Sequence, residues 1–437
     1  MKTSSLSAVV LGVILIAAAW DGGRTSIVYA WIPWVSVVVA CWLACRTRES
    51  RRAVTCMLWP ALVLVLLFAT YALNPTHRWE PGVGLLPLSP LPYLPGSAHA
   101  ERSWHALAVV ACALAAFVLG CLAGRRTIRW VQWAAMVGGG GMAAVVLNQR
   151  LTPRRYPIFE ITGTFPYENH YAAFANLLLP VVLTAALRFE FRAVQKGMAS
   201  SPAGLCYLSA VLIAASILLS GSRAAVLWMC LSLAGWLVIS WRIKKTYEYV
   251  SPSRTRLRSW AWGLCAGGAV SSLLYLVYRV WSWMPDWRRE AAFRGRILGD
   301  TWAIWRDNPW WGGGPGTFVS VIPYYQSESL QAYHLAHAHC EPLQFLAELG
   351  LLGSAICLMA ACTMCLCARR VAPPPLDDWP RFRELEGPGF ALGLATLLLH
   401  SMVDFPLRMP ALAWIAAAWC GLLAAQWEKR KGCNLSV

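Results

Sequence analysis

His339 opens the run His-Cys-Glu-Pro-Leu-Gln-Phe-Leu-Ala-Glu-Leu-Gly-Leu-Leu-Gly, where a long polar connection meets an apolar segment. A neutral imidazole placed there can take a proton from an incoming hydroxyl near neutral pH. His334 and His337 precede it, so three imidazoles stand before one helix. A polar interfacial histidine is the plainer reading, and a zinc site a third, although the spacing matches no familiar motif and no cysteine pair completes one. Arg223 lies in Ser-Gly-Ser-Arg-Ala-Ala over 220–225, a very short turn between two apolar runs. An arginine at that depth is costly unless it faces a cavity, pairs with an acid, or snorkels to the interface. Its forked donors suit a phosphate better than an ammonium group would. Arg294 and Arg296 could do the same work, or be ordinary surface charge. Arginines fixed beside a diphosphate leaving group would stabilise the charge that grows on it, while His339 activates an acceptor on the opposite side of the reacting carbon. Such a site needs no metal, no cofactor and no soluble nucleotide sugar.

The elements that must position these groups are membrane helices. The chain has 437 residues, of which 58% are hydrophobic and only 14% charged; a soluble domain carries about a quarter charged residues. The deficit is concentrated in apolar stretches of about twenty residues, the length that crosses a hydrocarbon core. Apolar runs predict an all-α membrane protein with about twelve transmembrane helices. They lie near Leu6–Trp20, Ile27–Cys45, Val54–Asn74, Trp104–Gly124, Ile128–Asn148, Tyr171–Leu187, Leu205–Leu219, Ala224–Trp241, Trp260–Tyr278, Glu341–Ala368, Gly389–Val403 and Met409–Trp427. The first reads as a retained helix rather than a signal peptide, because another span follows at once. The glycine run Gly138–Gly141 marks a weak or closely packed helix.

A net charge of +17 raises the question of nucleic acid, but the Lys and Arg stand in short clusters between apolar segments, the pattern of loops that follow the positive-inside rule. Examples are Arg46, Arg48, Arg51 and Arg52, then Arg125, Arg126 and Arg129, Arg188, Arg192 and Lys196, Arg254, Arg256 and Arg258, and Lys429–Lys431. Their bias puts both termini in the cytoplasm and leaves nucleic acid out. The cysteines fall mostly inside spans, as Cys112, Cys121, Cys230 and Cys357 do, and act there as small apolar residues. Cys362, Cys365 and Cys367 have metal-like spacing but no second pair in their apolar segment. One connection, the outward-facing loop over 280–338, is far longer than usual. Within it Arg296–Asp307 reads as a short amphipathic helix, broken by Asn308-Pro309-Trp310-Trp311-Gly312-Gly313-Gly314-Pro315-Gly316.

Five segments carry a resemblance to a known family. They are Gly163-Thr164-Phe165 with Asn169-His170-Tyr171-Ala172-Ala173 and Pro180; Ser222-Arg223-Ala224; Arg294 or Arg296 followed by Asp307 through Phe318; His337-Ala338-His339 with Glu348, Gly350 and Gly353; and His400-Ser401-Met402-Val403-Asp404-Phe405-Pro406 with Pro410. In this order they resemble the O-antigen ligase and Wzy-type polymerase superfamily, from Gly163 to the C-terminus. The division this suggests is N-terminal transmembrane helices over 1–162 and an O-antigen ligase-like domain over 163–437. The resemblance implies a metal-independent, inverting transfer of a glycan from a polyprenyl-pyrophosphate carrier to a lipid or glycan acceptor. The reaction would run at the periplasmic face of a bacterial inner membrane. It implies Arg223, Arg294 and His339 as catalytic residues, favouring Arg294 over Arg296. Substrate contacts fall to Arg296, His337, Asn169, Gly314 and Gly316. Cys340 is a departure, since the family commonly has Asn, Ser or Gln after the histidine. A transporter or flippase of a lipid-linked or anionic solute would instead carry charges deep in several spans, and a scaffold would need neither His339 nor Arg223. Glu341 and Glu348 are candidates to assist His339, with a helix-end role the plainer reading for Glu348.

Overall fold

The computed structural model describes residues 48–152, 162–198, 200–247, 284–371 and 386–426, with Gly267 and Tyr278 besides. The expected spans Leu6–Trp20, Ile27–Cys45 and, those two residues aside, Trp260–Tyr278 lie outside the described residues. So do Arg46, Arg254, Arg256, Arg258 and Lys429–Lys431. The described chain is mostly helical: α1 (Arg48–Leu73), α2 (Ala100–Cys121), α3 (Arg125–Leu151), α4 (Glu168–Gln195), α5 (Ala203–Ser220), α6 (Arg223–Tyr247), α7 (Met284–Asp307), α8 (Glu341–Val371), α9 (Gly387–Ser401) and α10 (Pro410–Gln426). Among them α1 to α6 and α8 hold stretches long and apolar enough to cross a membrane, seven in all, which makes this a multi-pass membrane protein. α9, at 15 residues, and α10, at 17, are shorter.

α4 is the axis of the bundle, buried along nearly its whole span and packed against α3, α5, α6 and α9. α2 lies along α10, where a Cβ on Gly120 would run into the Ala418 carbonyl and one on Gly421 into that of Phe117. Small residues at such a crossing let the backbones touch, which is how helices associate where water supplies no driving force. The glycine run of α3 proves closely packed: the helix continues through it, and a Cβ on Gly140 would stand 2.6 Å from Ser209 Oγ of α5.

Two features depart from the expectations. A small antiparallel hairpin, β1 (His77–Glu80) and β2 (Gly84–Pro87), joins α1 to α2, so the fold is not purely helical. Gly82 and Gly84 supply its positive φ angles, and Tyr324 Oη accepts from the Leu85 amide at 2.8 Å. The amphipathic helix expected over Arg296–Asp307 begins at Met284, since nothing after Pro285 breaks a helix until Asn308-Pro309. It buries Ile297 and Ile304 with Phe318, Ile322, Leu330 and Leu335 in a small core of its own.

α8 is broken at Gly350, whose backbone (φ 65°, ψ −173°) is not helical. The orphaned groups around the break are all taken up. Gly313 and Gly314 amides donate to the Ala347 and Glu348 carbonyls at 3.0 and 2.8 Å, and the Leu351 and Leu352 amides donate to Pro309 and Trp310 carbonyls at 2.8 and 3.0 Å. Tyr71 Oη of α1 reaches the carbonyls of both Leu349 and Trp311, at 2.8 and 2.6 Å. The Pro-Trp-Trp-Gly-Gly-Gly loop thus replaces one turn of helix with hydrogen bonds from another segment, as buried backbone requires. Only glycine fits at Gly350, because that region of φ and ψ is closed to other residues and a Cβ would strike the Trp310 carbonyl. Gly350→Ala should therefore lower the melting temperature of the detergent-solubilised protein by the equivalent of about 1–3 kcal/mol. Gly299→Ala inside α7, where a Cβ meets nothing within 4 Å, should raise it by the equivalent of about 0.5–1 kcal/mol. Equal melting temperatures for both variants would contradict this account of the loop.

Candidate active site

The first turn of α4, the α5–α6 turn, the start of α8 and the α9–α10 connection meet at one end of the bundle, where Asn169, Arg223, His339 and Asp404 lie. The approach to α4 is set by Gly163, whose φ of 67° and proximity to Met142 exclude a side chain. Gln149 grips it from both sides, accepting from its amide at 2.9 Å and donating to its carbonyl at 3.2 Å. Phe165 is buried against Tyr171 and Phe174. These contacts deliver Asn169, whose Nδ2 donates to Asp404 Oδ2.

Asp404 follows the end of α9 and is 1% exposed. Its Oδ1 accepts from the Phe405 amide at 3.0 Å and faces His339 Nδ1 at 3.2 Å. Burial alone would raise this carboxyl, but the hydrogen bond and charge of His339, then the charges of His400 and His170, outweigh it and hold it below the usual carboxylate range. An ionised Asp404 fixes the His339 tautomer with the proton on Nδ1, which leaves Nε2 as the proton acceptor. His339 adopts φ 54°, a left-handed conformation in which His is more common than most residues. Its neighbour Ala338 is pinned by Gln344, which accepts the Ala338 amide at 3.0 Å. The side chain remains partly open to solvent.

Phe405 stands among three imidazoles, with ring centroids 4.2 Å from His337, 4.7 Å from His170 and 4.9 Å from His339. Burial, then the Arg408 charge, pushes His337 down to about 3. Its Nδ1 accepts from Gln344 Nε2 at 3.3 Å, so it serves as a neutral wall.

The two arginines meet at a residue that sequence reasoning overlooked. Gly221 ends α5 with φ 91°, and Ser222 caps α6 through Oγ to the Ala225 amide at 3.4 Å, which leaves Arg223 at the helix start. Its Nη2 lies 2.5 Å from Glu290 Oε2, and Arg294 Nη2 lies 3.0 Å from Glu290 Oε1. Arg294 Nη1 also donates to the Val403 carbonyl at 2.8 Å, next to Asp404. One chain of contacts therefore runs Arg223, Glu290, Arg294, Val403, Asp404, His339. Arg296 is not part of it: two residues on is about 200° around a helix, and Arg296 is exposed on the far side of α7.

Gly314 and Gly316 pack against the chain around the start of α2, where a Cβ would meet Ser97 and the Arg102 carbonyl. Both have positive φ, and the Gly316 amide donates to Glu348 Oε2 at 2.9 Å. Glu348 also accepts from Gln344 at 2.9 Å and from Arg408 at 2.7 Å, while Glu341 Oε1 takes the Leu407 and Arg408 amides at 2.6 and 3.2 Å. Glu348 is taken up by the Gly316 amide, Gln344 and Arg408, and Glu341 Oε1 by two backbone amides, and among the described residues no hydrogen bond joins either glutamate to His339. Among the described residues no group of three or more His, Cys, Asp or Glu is arranged to hold a metal ion.

The helical bundle thus carries an Asp–His pair and two arginines bridged by one glutamate at the same end. Residues 208–358 match the family model described as O-Antigen ligase. No curated protein compared with the chain matches it. The match contains Arg223, Glu290, Arg294, His337 and His339, whereas Asn169 and Asp404 lie beyond its ends. Glu290 was legible as an i, i+4 partner of Arg294, and Asp404 as an acid at the end of an apolar span, where an unpartnered charge is costly.

The site should make the protein acid-labile. Between the ordinary histidine value of about 6.5 and about 3, an unfolded chain binds a proton that folded His337 refuses, so stability falls as pH drops through that window. The depressed Asp404 carboxyl acts in the same sense: the stability it contributes is present above its unfolded value and lost as pH falls through its folded one. His337→Gln should shrink the loss of melting temperature between about pH 7 and pH 4.5, measured in detergent. An undiminished loss would show that His337 is not the group responsible.

Proposed function

We propose that this protein is a metal-independent, inverting glycosyltransferase that moves a glycan from a polyprenyl-pyrophosphate carrier to a hydroxyl on a lipid or glycan acceptor, as an O-antigen ligase or polysaccharide polymerase does. The observation that carries the reading is the continuous contact from the Arg223–Glu290–Arg294 cluster to the Asp404–His339 pair. It joins a site for growing negative charge to a site for proton removal. In this reaction the acceptor oxygen forms a bond to the anomeric carbon on the face opposite the carrier. Its proton passes to His339 Nε2, with Asp404 stabilising the imidazolium. The bond from the anomeric carbon to the phosphate oxygen breaks, and its electron pair leaves with the diphosphate, whose charge Arg223 and Arg294 meet. Attack from the opposite face inverts the anomeric centre.

The remaining assignments follow from this scheme. Asn169 is a positioning residue for Asp404, His337 shapes the wall beside His339, and Gly314 and Gly316 let the loop approach close to the bound substrate. The clusters of Lys and Arg support a reading with both termini in the cytoplasm of a bacterial cell and the site on the periplasmic side of the inner membrane. The bilayer then delivers the carrier laterally, with its diphosphate at the level of the arginines.

The test is transfer by the purified protein in nanodiscs, with a lipid-diphosphate-linked glycan as donor and the amounts of folded variant matched. His339→Ala should lose about 10²–10⁴-fold in rate and Arg223→Ala or Arg294→Ala about 10²–10³-fold each. Arg296→Ala should remain within about twofold of wild type, in line with ordinary surface charge. Chelator should not change the rate. Wild-type activity in His339→Ala and Arg223→Ala together would remove the proposed site and favour transport or scaffolding.

A further inference from the structure

Glu290 differs from the other carboxylates near the site. Glu341 and Glu348 are almost completely buried and accept from backbone amides or from several donors at once. The Glu290 side chain is 40% exposed and its two oxygens are divided between two guanidinium groups, themselves 28% and 27% exposed. No backbone amide anchors it among the described residues, so it is held by charge and can be exchanged for another anion. Its position between the forks of Arg223 and Arg294 is where a diphosphate that engages both arginines must lie.

We propose that Glu290 is a built-in competitor for the diphosphate: it occupies Arg223 and Arg294 while the site is empty, yields them to the donor, and retakes them to expel the spent carrier. The inference rests on the transfer reaction proposed above. In the donor each phosphate of the diphosphate has one ester and one anhydride link and bears one negative charge. Transfer breaks the bond from the anomeric carbon to the terminal phosphate oxygen, which leaves that phosphate with the anhydride link alone and a second ionisation at about pH 6. The departing diphosphate is therefore more negative than the one that arrived. Two arginines with no resident counter-charge would hold product more tightly than substrate, and release would limit turnover. A carboxylate tethered one turn before Arg294 is present at high effective concentration and replaces each phosphate contact with another charge-assisted hydrogen bond as the carrier leaves.

The full-length protein in nanodiscs, with a short-chain polyprenyl diphosphate as probe, tests this. Glu290→Gln keeps the size of the side chain and removes its charge. The expected result is probe binding tightened by about tenfold, the change that one charge-assisted contact makes, with donor KM and kcat both lowered. A residue that only held the arginines in place would give the reverse. If Glu290→Gln binds the probe more weakly, as Arg294→Ala does, or with unchanged affinity, the competitor role is overturned while the diphosphate site stands. If Arg223→Ala and Arg294→Ala also leave probe binding unchanged, the diphosphate site itself is wrong, and the role of Glu290 falls with it. Glu290→Ala provides a second neutral variant should the Gln variant fail to fold, with the same expected direction.

Discussion

A carboxylate buried at the end of an apolar bundle must be met by donors or positive charge, and Asp404 draws them from separate parts of the chain. Asn169 comes from the first turn of α4, the Phe405 amide from the α9–α10 connection, and His339 from the start of α8. Each contact has a structural reason, since removing any one leaves charge or a polar group without its partner. Together they fix where four helix ends meet. The same contacts orient His339, so the interaction that closes the bundle is also the one that holds the proposed base.

A second constraint supports the first. α8 can present His339 at its start only if the helix is held in depth, and it is held at its break. The carbonyls of Ala347, Glu348 and Leu349 and the amides of Leu351 and Leu352 are bonded by the glycine-rich loop and by Tyr71. Glu348 then couples that loop to Arg408 through the Gly316 amide, and Glu341 holds the backbone of Leu407 and Arg408. The loop, the broken helix and the segment after Asp404 thus form one rigid unit. Arg294 joins this unit through the Val403 carbonyl, which brings the arginine cluster into register with the imidazole.

Much of this was readable from residue types, and the parts that were not have physical causes. Seven of the expected spans coincide with described helices long and apolar enough to cross a membrane, because a run of about twenty apolar residues has one outcome in a bilayer, and two more coincide with the shorter α9 and α10. Arg223 and His339 stood out because polar residues at span ends are costly without a partner, and the structure gives each an acidic one. The choice of Arg294 over Arg296 rested on family spacing, and helical rotation about α7 gives it a geometric reason. The break at Gly350 was hidden, since its hydrogen-bond partners lie some forty residues earlier in sequence and no local pattern reports them. The hairpin after α1 was hidden for a similar reason: strands of four residues have little periodicity to detect. Glu290 was missed because an exposed acid between arginines reads as a surface helix pair until Arg223, from another helix, is seen to share it.

The central claim is that Arg223, Arg294 and His339 face one reacting centre. An experimental structure of the protein in nanodiscs with a polyprenyl diphosphate bound addresses it most directly. The account predicts the diphosphate between the Arg223 and Arg294 guanidinium groups, with Glu290 displaced and His339 Nε2 directed at the space beyond the terminal phosphate, where the anomeric carbon would sit. A diphosphate bound elsewhere, with the Arg223–Glu290–Arg294 contacts intact and His339 turned from it, would contradict the account.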